Sequence, residues 1–256
     1  MPRFYVDPSR IGGAEIILGD GEYNHIKNVL RKQVGDTLLI CDGEGMEYSC
    51  EVAQFRDGEV VLTILERKAG NTELPMKISL FQGLPKKDKL EFIIEKSVEL
   101  GAYSVVPVAC SRSVAKLEDE KKEAKKLTRW NAIAEAAAKQ SGRGIVPKVE
   151  GLLSFRKAIQ YAKENYDVIL IPYENAEGMR YTEQVISELR EGISVAVFIG
   201  PEGGFSPEEI TLAMENDAKI ISLGRRILRT ETAGLTVLSY LMLRAEIAQE
   251  MKDTEE

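Results

Sequence analysis

Three arginines fall within five positions, Arg225, Arg226 and Arg229, just ahead of Thr230-Glu231-Thr232-Ala233-Gly234, which reads as the start of a helix. Helix starts favour acids, because the aligned peptide dipoles already leave that end positive. A cationic cluster there breaks a local rule, and such breaks gather at functional sites. The alternative is a solvated charge cluster. Ile227 and Leu228 sit between the arginines, which fits a loop folded over something flat and apolar.

A second loop, Gly200-Pro201-Glu202-Gly203-Gly204-Phe205, follows the apolar run SVAVFI. Its glycines permit positive φ and close approach of a ligand to backbone. Ser206-Pro207-Glu208-Glu209 then has the form of a helix start, with Ser206 as N-cap, Pro207 first and Glu209 closing a capping box. The glycine spacing fits neither GxGxxG nor GxxxxGK[ST]. The helix amides are already satisfied, and Glu202 and Glu208 would repel phosphate. A neutral nucleoside or a cationic ligand is accommodated; the plainer alternative is a glycine turn before a well-capped helix. A third loop carries Ile171-Pro172-Tyr173-Glu174.

The reactive inventory elsewhere is small. His25 is the only histidine, so a serine–histidine relay or a His-based metal site would rest on it alone. Cys41, Cys50 and Cys110 are an odd, widely spaced set without CxxC, unsuited to a disulfide framework or a zinc site. No metal is expected. Basic residues also collect at Pro85-Lys86-Lys87-Asp88-Lys89, at Lys121, Lys122, Lys125, Lys126 and Arg129, and at Gln140-Ser141-Gly142-Arg143-Gly144. The lysine run interleaves with Glu118, Asp119, Glu120 and Glu123 and reads as a solvated helix face. The Gln140–Gly144 turn is less easily assigned to structure alone.

The hydrophobic pattern supplies the frame. Over residues 1–70, Arg3–Val6, Glu15–Leu18, Thr37–Cys41 and Val60–Leu65 are β-prone runs separated by glycine turns. Asp42-Gly43-Glu44-Gly45 is a hairpin signal. One helix is expected at Asn24–Arg31, with Ile26, Val29 and Leu30 at helical spacing. Such strands suit a small β-barrel. A linker follows at Lys68–Pro75. Over residues 76–251 strand-like and helix-like runs alternate: KISLFQG, Asp88–Leu100, AYSVVPVAC, Glu118–Gln140, Phe155–Asn165, DVILIPY, Thr182–Arg190, ISVAVFIG, Ser206–Asn216, Ala218–Leu223 and Thr230–Met251. That alternation predicts an α/β domain with a largely parallel sheet covered on both faces. Ligands of such sheets bind in the loops beyond the carboxyl ends of the strands, where the three loops above lie. The tail from Lys252 carries no apolar residue and is expected to fray.

The 256 residues carry a net charge of −7, with 44% hydrophobic and 29% charged residues. This balance excludes disorder and fibrous repeats. So acidic a chain cannot hold a polyanion by bulk charge, so any nucleic-acid contact needs local basic patches. The first 70 residues offer only the stripe of Lys27, Arg31 and Lys32, with His25 either structural or RNA-facing. No apolar run approaches the ~18–20 residues of a membrane span, and MPRFYVDPSR lacks an apolar signal core. The expectation is a reduced, soluble, cytoplasmic protein.

Taken together, these segments resemble the RsmE family, bacterial ribosomal RNA uridine-N3 methyltransferases of the SPOUT superfamily. The likeness runs from PRFYV, His25 with Val29-Leu30-Arg31, and Gly35-Asp36, through QGLPKKDKLEFIIEKSVELGA, SRSVAK and EAAAKQSGR. It continues through Pro147 with Val149 and IPYE to IGPEGGFSPEE and LGRRILRTETA. The last two, in this order and spacing, are very specific to the family.

The resemblance implies a PUA-like β-barrel that binds RNA, followed by a SPOUT α/β domain with a C-terminal trefoil knot clasping S-adenosyl-L-methionine. It implies a homodimer, with which the closing helix carrying Leu235, Val237, Leu238, Leu241 and Leu243 is compatible, although a core-facing helix would look the same. The implied reaction is methyl transfer to N3 of one uridine in small-subunit, 16S-type ribosomal RNA. The cofactor would be held by Pro172, Ile199, Gly200, Glu202 and Gly203, together with Leu223, Ile227, Leu228, Thr232 and Ala233. RNA would be met by Arg3, Lys27, Arg31, Lys86 and Arg112, and by Gln140, Arg143, Arg225 and Arg226. Arg225, Arg226 and Arg229 would stabilise charge on the uracil oxygens or grip flanking phosphates, with Arg229 catalytic. Glu231 is the candidate proton acceptor, with Glu202 in reserve; helix-start stabilisation and backbone capping are their alternatives. Two rival readings are a SPOUT ribose 2′-O-methyltransferase and a non-catalytic RNA-binding protein of ribosome assembly.

Overall fold

The structure, a computed structural model, describes residues 3–113, 120–176 and 178–255. The chain divides into two units, Met1–Glu73 with Ala138–Val146, and Leu74–Ala137 with Pro147–Glu256. Residues 138–146 thus pack with the first unit, although the sequence pattern runs them on within the second domain. Hydrogen bonds account for it. Tyr5 donates its hydroxyl to the carbonyls of Ala138 and Arg143, and Arg3 donates to that of Gly142. The Glu73 carboxylate accepts from the Gly144 and Ile145 amides at 3.0 and 3.2 Å.

The first unit contains β1 (Arg3–Tyr5), β2 (Ile11–Gly12), β3 (Glu15–Leu18), α1 (Asp20–Asn24), β4 (Thr37–Cys41), β5 (Met46–Arg56) and β6 (Glu59–Ala69). They form one six-stranded sheet in the order β1-β4-β5-β6-β3-β2. Only β1 and β4 pair in parallel; the other pairs are antiparallel. Alternate residues, among them Ile16, Leu18, Leu38, Ile40, Cys50, Val52, Val60 and Leu62, turn into a single core. Two register shifts in the long β5–β6 ribbon help the sheet bend around that core. The hairpin expected at Asp42–Gly45 joins β4 to β5, with Gly43 and Gly45 at φ +74° and +109°.

The expected helix at Asn24–Arg31 differs from the structure. The α-helix starts earlier, at Asp20, and His25–Val29 forms a π-helical turn in which the Leu30 amide donates to the His25 carbonyl at 2.8 Å. The wider turn rotates the inward face, so Ile26 is buried while Val29 is 66% exposed.

The second unit contains β7 (Lys77–Gly83), α2 (Lys89–Glu99), β8 (Ser104–Ala109), α3 (Glu120–Ser141), whose last residues belong to the first unit, β9 (Lys148–Val149) and β10 (Leu153–Ser154). It continues with α4 (Phe155–Asn165), β11 (Val168–Pro172), α5 (Met179–Ser187), β12 (Ser194–Ile199), α6 (Pro207–Glu215), β13 (Lys219–Ile221) and α7 (Thr230–Glu255). All strand pairs are parallel, in the order β10-β8-β7-β12-β11-β13, with β9 also paired to β8. One face packs Phe81 and Phe198, stacked with centroids 4.4 Å apart, against Phe155 and Ile159 of α4 and Ile210 and Ala213 of α6. The opposite face receives α7, whose Gly234 rests over Leu80, Gln82 and Ile199. Val237, Leu238 and Leu241 of α7 are buried, so these residues face the core.

Glu118 and Asp119 of the expected long helix, and Val114, Ala115 and Lys116 of SRSVAK, lie outside the described residues. The strands β9 and β10 are too short to leave a periodic signal. The tail expected to fray continues α7 instead: Lys252 pairs with Glu191, and the Thr254 hydroxyl donates to the Glu250 carbonyl at 2.8 Å. Among the described residues no helix is long and apolar enough to cross a membrane, and no cluster suited to a metal ion occurs.

Candidate active site

Parallel pairing brings the carboxyl ends of β11, β12 and β13 to one edge of the second unit's sheet. There a cavity of about 490 Å³ opens, walled by the loops that follow these three strands. β12 is inserted between β7 and β11, so the cavity sits at a reversal of strand order, the place where open α/β sheets take ligands.

Close backbone approach shapes the first loop. A Cβ on Gly83, at the end of β7, would meet the Pro201 nitrogen and Cδ at 2.7 Å, and one on Gly200 would meet the Gly204 backbone at 3.1 Å. At Gly83 the Pro201 backbone occupies the side chain's space, and at Gly200 a side chain would fit only if the Gly204 backbone gave way by a few tenths of an ångström. The capping box holds as read. Glu209 donates its amide to Ser206 Oγ at 3.3 Å, and Ser206 donates its amide to Glu209 Oε2 at 2.9 Å. Glu209 Oε1 also accepts from the Ser111 amide at 2.8 Å, tying the helix start to the loop after β8.

The arginine loop is pinned at both ends. Thr182 exchanges hydrogen bonds with the Ser222 backbone at 2.9 and 3.0 Å. At the other end Thr230, buried, donates to the Gly200 carbonyl at 2.6 Å and accepts from Gln82 Nε2 at 2.8 Å. Gln82 and Thr230 therefore fasten the start of α7 to the first loop. Neither was marked in the sequence, where a strand glutamine and a helix-start threonine look ordinary.

Electrostatically, the site combines an ion-pair cluster with free cations. Lys89 Nζ lies 3.1 Å from Glu202 Oε1 and 3.3 Å from Glu231 Oε2. Glu202 also accepts from the Lys86 amide at 3.1 and 3.2 Å. Burial opposes the charge on Glu202, but backbone amides and the Lys89 ammonium outweigh it and hold its carboxyl below the ordinary glutamate range. The same hydrogen bond to Glu202, supported by Glu231, holds the Lys89 ammonium above the ordinary lysine value. Arg225, Arg226 and Arg229 are exposed, and no ion pair engages them among the described residues.

Of the residues singled out in the sequence, Pro172, Ile199, Gly200, Glu202 and Gly203 line the cavity, as do Leu223, Ile227, Leu228 and Ala233. Arg225, Arg226 and Arg229 line it too, whereas Thr232 and Glu231 are not on its wall. Ile227 is 87% exposed although it lines the cavity. Lys89, Tyr173 and Glu174 line the cavity without having been singled out as site residues; the signals were the PKKDK cluster and the IPYE loop. Lys86 is exposed, and exposed Arg112 donates from Nη1 to the Gly203 carbonyl at 3.0 Å.

In the first unit Lys27 and Arg31 are exposed; the Lys27 ammonium lies 4.9 Å over the Tyr23 ring and 5.4 Å over that of Phe55. Gln140 is exposed. Arg3 and Arg143 differ from the expected RNA contacts. Arg143 is only 4% exposed and its guanidinium pairs with Glu73, while Arg3 pairs with Glu47 at 3.0 Å. Both guanidinium groups are bound to carboxylates of the first unit, which holds the Gln140–Gly144 turn in place.

A β-rich unit followed by a parallel sheet with a pocket at its carboxyl edge is a frame that many folds share, and the family match makes the class an RNA methyltransferase. Residues 72–242 match the RNA methyltransferase domain family and residues 13–65 the RNA methyltransferase PUA domain. The chain belongs to the ribosomal RNA small subunit methyltransferase E family, the RsmE family whose motifs it carries. The enzyme of that name from Bacillus subtilis is 39% identical over 229 residues, 88% of this chain and 89% of its own. That from Aquifex aeolicus is 32% identical, covering 94% and 99%. The crystal structure of the Neisseria gonorrhoeae enzyme, bound to S-adenosyl methionine, is 29% identical, superposes with a TM-score of 0.78 and covers 95% and 97% of the two chains.

Proposed function

We propose that this protein methylates N3 of one uridine in small-subunit, 16S-type ribosomal RNA, using S-adenosyl-L-methionine. The observation that carries the reading is the cavity itself, where the GPEGG and LGRRILR loops meet beyond the carboxyl ends of β12 and β13. Its volume of about 490 Å³ falls within the usual range for cofactor pockets, roughly 300–1,000 Å³. The residues fit the cofactor. Gly83 and Gly200 keep the backbone close, Pro172, Ile199, Leu223 and Leu228 offer apolar wall, and Glu174 and Glu202 suit a cationic sulfonium. The capped start of α6 offers no phosphate cradle, which also fits a nucleoside without phosphates. Thr232 lies one helix residue from Ala233 and would contact the cofactor only at the margin.

The bound cofactor supplies an electrophilic methyl group. The chain must hold the uracil in line and take the imide proton. Arg229 stabilises charge on the uracil oxygens, and Glu231 accepts the proton. Arg225, Arg226, Arg112 and Lys86 grip the RNA beside the pocket, with Lys27, Arg31 and Gln140 as further contacts. Arg3 and Arg143 keep the first unit's elements in place.

The finer architecture follows the same reading. The C-terminal part of the second unit is a trefoil knot, supported by the return of α7 to Gly200 through Thr230. The protein is a homodimer, supported by exposed Leu243, Ile247 and Met251 along one stripe of α7. It works in the cytoplasm, in keeping with three buried, unpaired cysteines.

Mass-spectrometric mapping of ribosomal RNA from a strain lacking the gene, before and after adding back the protein, tests the activity. N3-methyluridine restored at one position supports the reading. A 2′-O-methyl product, or no product despite RNA binding, overturns it. Sedimentation velocity tests the dimer.

A further inference from the structure

Lys89 lies on the pocket wall. Its ammonium is gripped by two carboxylates from different segments, Glu202 of the first loop and Glu231 at the start of α7. An ammonium has three N–H donors. Two are taken, and no further described residue accepts the third. The three cavity arginines must be ordered when RNA arrives, at the usual cost in side-chain entropy. Lys89 is already ordered, and a preorganised charge stabilises an anion without rearrangement.

We infer that Lys89 is a catalytic residue, whose third N–H donates to a uracil oxygen beside N3 and stabilises the uridine anion left when the imide proton departs. The inference rests on the uridine-N3 reading. Glu202 and Glu231 then act as positioning residues for Lys89 as well as in their own right. The imide N3–H bond breaks and its proton passes through a water to Glu231, which is not itself on the cavity wall, and on to bulk water. The N3 lone pair forms the bond to the methyl carbon, and the pair of the broken carbon–sulfur bond stays on sulfur, which becomes a neutral thioether. A stabilised anion is a somewhat weaker nucleophile. While most of the imide is protonated, the gain in anion population is the larger effect. Raised basicity keeps the Lys89 ammonium charged throughout.

The test uses the full-length protein and a small-subunit ribosomal RNA fragment carrying the mapped uridine, either natural or replaced by the more acidic 5-fluorouridine. Lys89→Met is expected to lose turnover by about ten- to a hundredfold, with the cofactor dissociation constant within about threefold of wild type. The loss should shrink several-fold on the 5-fluorouridine fragment, whose imide ionises more readily, and Lys89→Arg should recover part of the activity. Without turnover, the fluorine NMR shift of that fragment, bound with the demethylated cofactor product, should report less anion in Lys89→Met than in wild type. Lys89→Gln replaces Lys89→Met if the latter fails to fold. Turnover within about twofold of wild type, an equal loss on both fragments, or an unchanged fluorine shift overturns the inference. Absence of N3-methyluridine from the wild-type reaction instead sinks the parent reading, whatever Lys89 does.

Discussion

Arg229 and Glu231 flank Thr230, whose hydroxyl joins Gln82 to the Gly200 carbonyl. The three neighbours therefore separate by role. The Arg229 side chain is exposed and makes no hydrogen bond or ion pair among the described residues, and its carbonyl, which accepts from the Ala233 amide, survives substitution. Arg229→Ala should therefore keep the thermal midpoint while methyl incorporation into RNA falls on the order of a hundredfold. Retained turnover within a few-fold would remove it from the catalytic set. Thr230→Val should do the opposite. It leaves the Gly200 carbonyl and one N–H of the Gln82 amide without their partner, while the other Gln82 N–H keeps the Gly83 carbonyl, costing about 1–3 kcal/mol of stability in chemical denaturation. Calorimetric titration should also show weaker cofactor binding, because the two loops lose their common anchor.

At the level of elements, the pocket depends on loops passing within contact distance of a strand end. Gly83 closes β7 directly beneath Pro201, with no space for a methyl group. Gly83→Ala must displace the first loop, and overpacking of this kind costs about 1–3 kcal/mol. Cofactor affinity measured by calorimetry should fall by about tenfold or more. An unchanged affinity would mean that the loop can move without harm. The capping box at Ser206 was legible because its partners are three residues apart. The Gly83–Pro201 contact was not, because its partners are more than a hundred residues apart and only sheet formation joins them. The π-helical turn after α1 was equally hidden: Ile26, Val29 and Leu30 have α-helical spacing, but packing decided the turn's width.

For the whole molecule, charge and burial set the response to solution conditions. With a net charge of −7, the proposed RNA contact rests on six exposed cations, Lys27, Arg31, Lys86, Arg112, Arg225 and Arg226. Six single-strand phosphate contacts at ~0.7 each predict a log–log salt slope no steeper than about −4 in filter binding. A steeper slope would require cations assigned here to structure. Alkaline pH should destabilise the first unit in a defined window. Burial, aided by the neighbouring Cys41, pushes the Tyr5 phenol from 10.0 up to about 12. The folded state keeps that proton when the unfolded chain has lost it, so the contribution is complete below 10.0 and lost progressively between 10.0 and about 12. Tyr5→Phe should flatten this part of the stability–pH curve measured by denaturant titration.

By itself the sequence determined the two-part organisation, the parallel α/β pattern, the capped helix at Ser206 and the two loops that define the family. Each is written in local spacing, in residues a few positions apart that must share a face or a turn. Tertiary structure alone decided that Lys89 joins Glu202 to Glu231, that Gln82 and Thr230 bind the loops together, and that Arg143 is paired with Glu73. It also moved residues 138–146 into the first unit. These facts depend on segments far apart in the chain, brought together only when parallel strands align their ends and buried charges find partners.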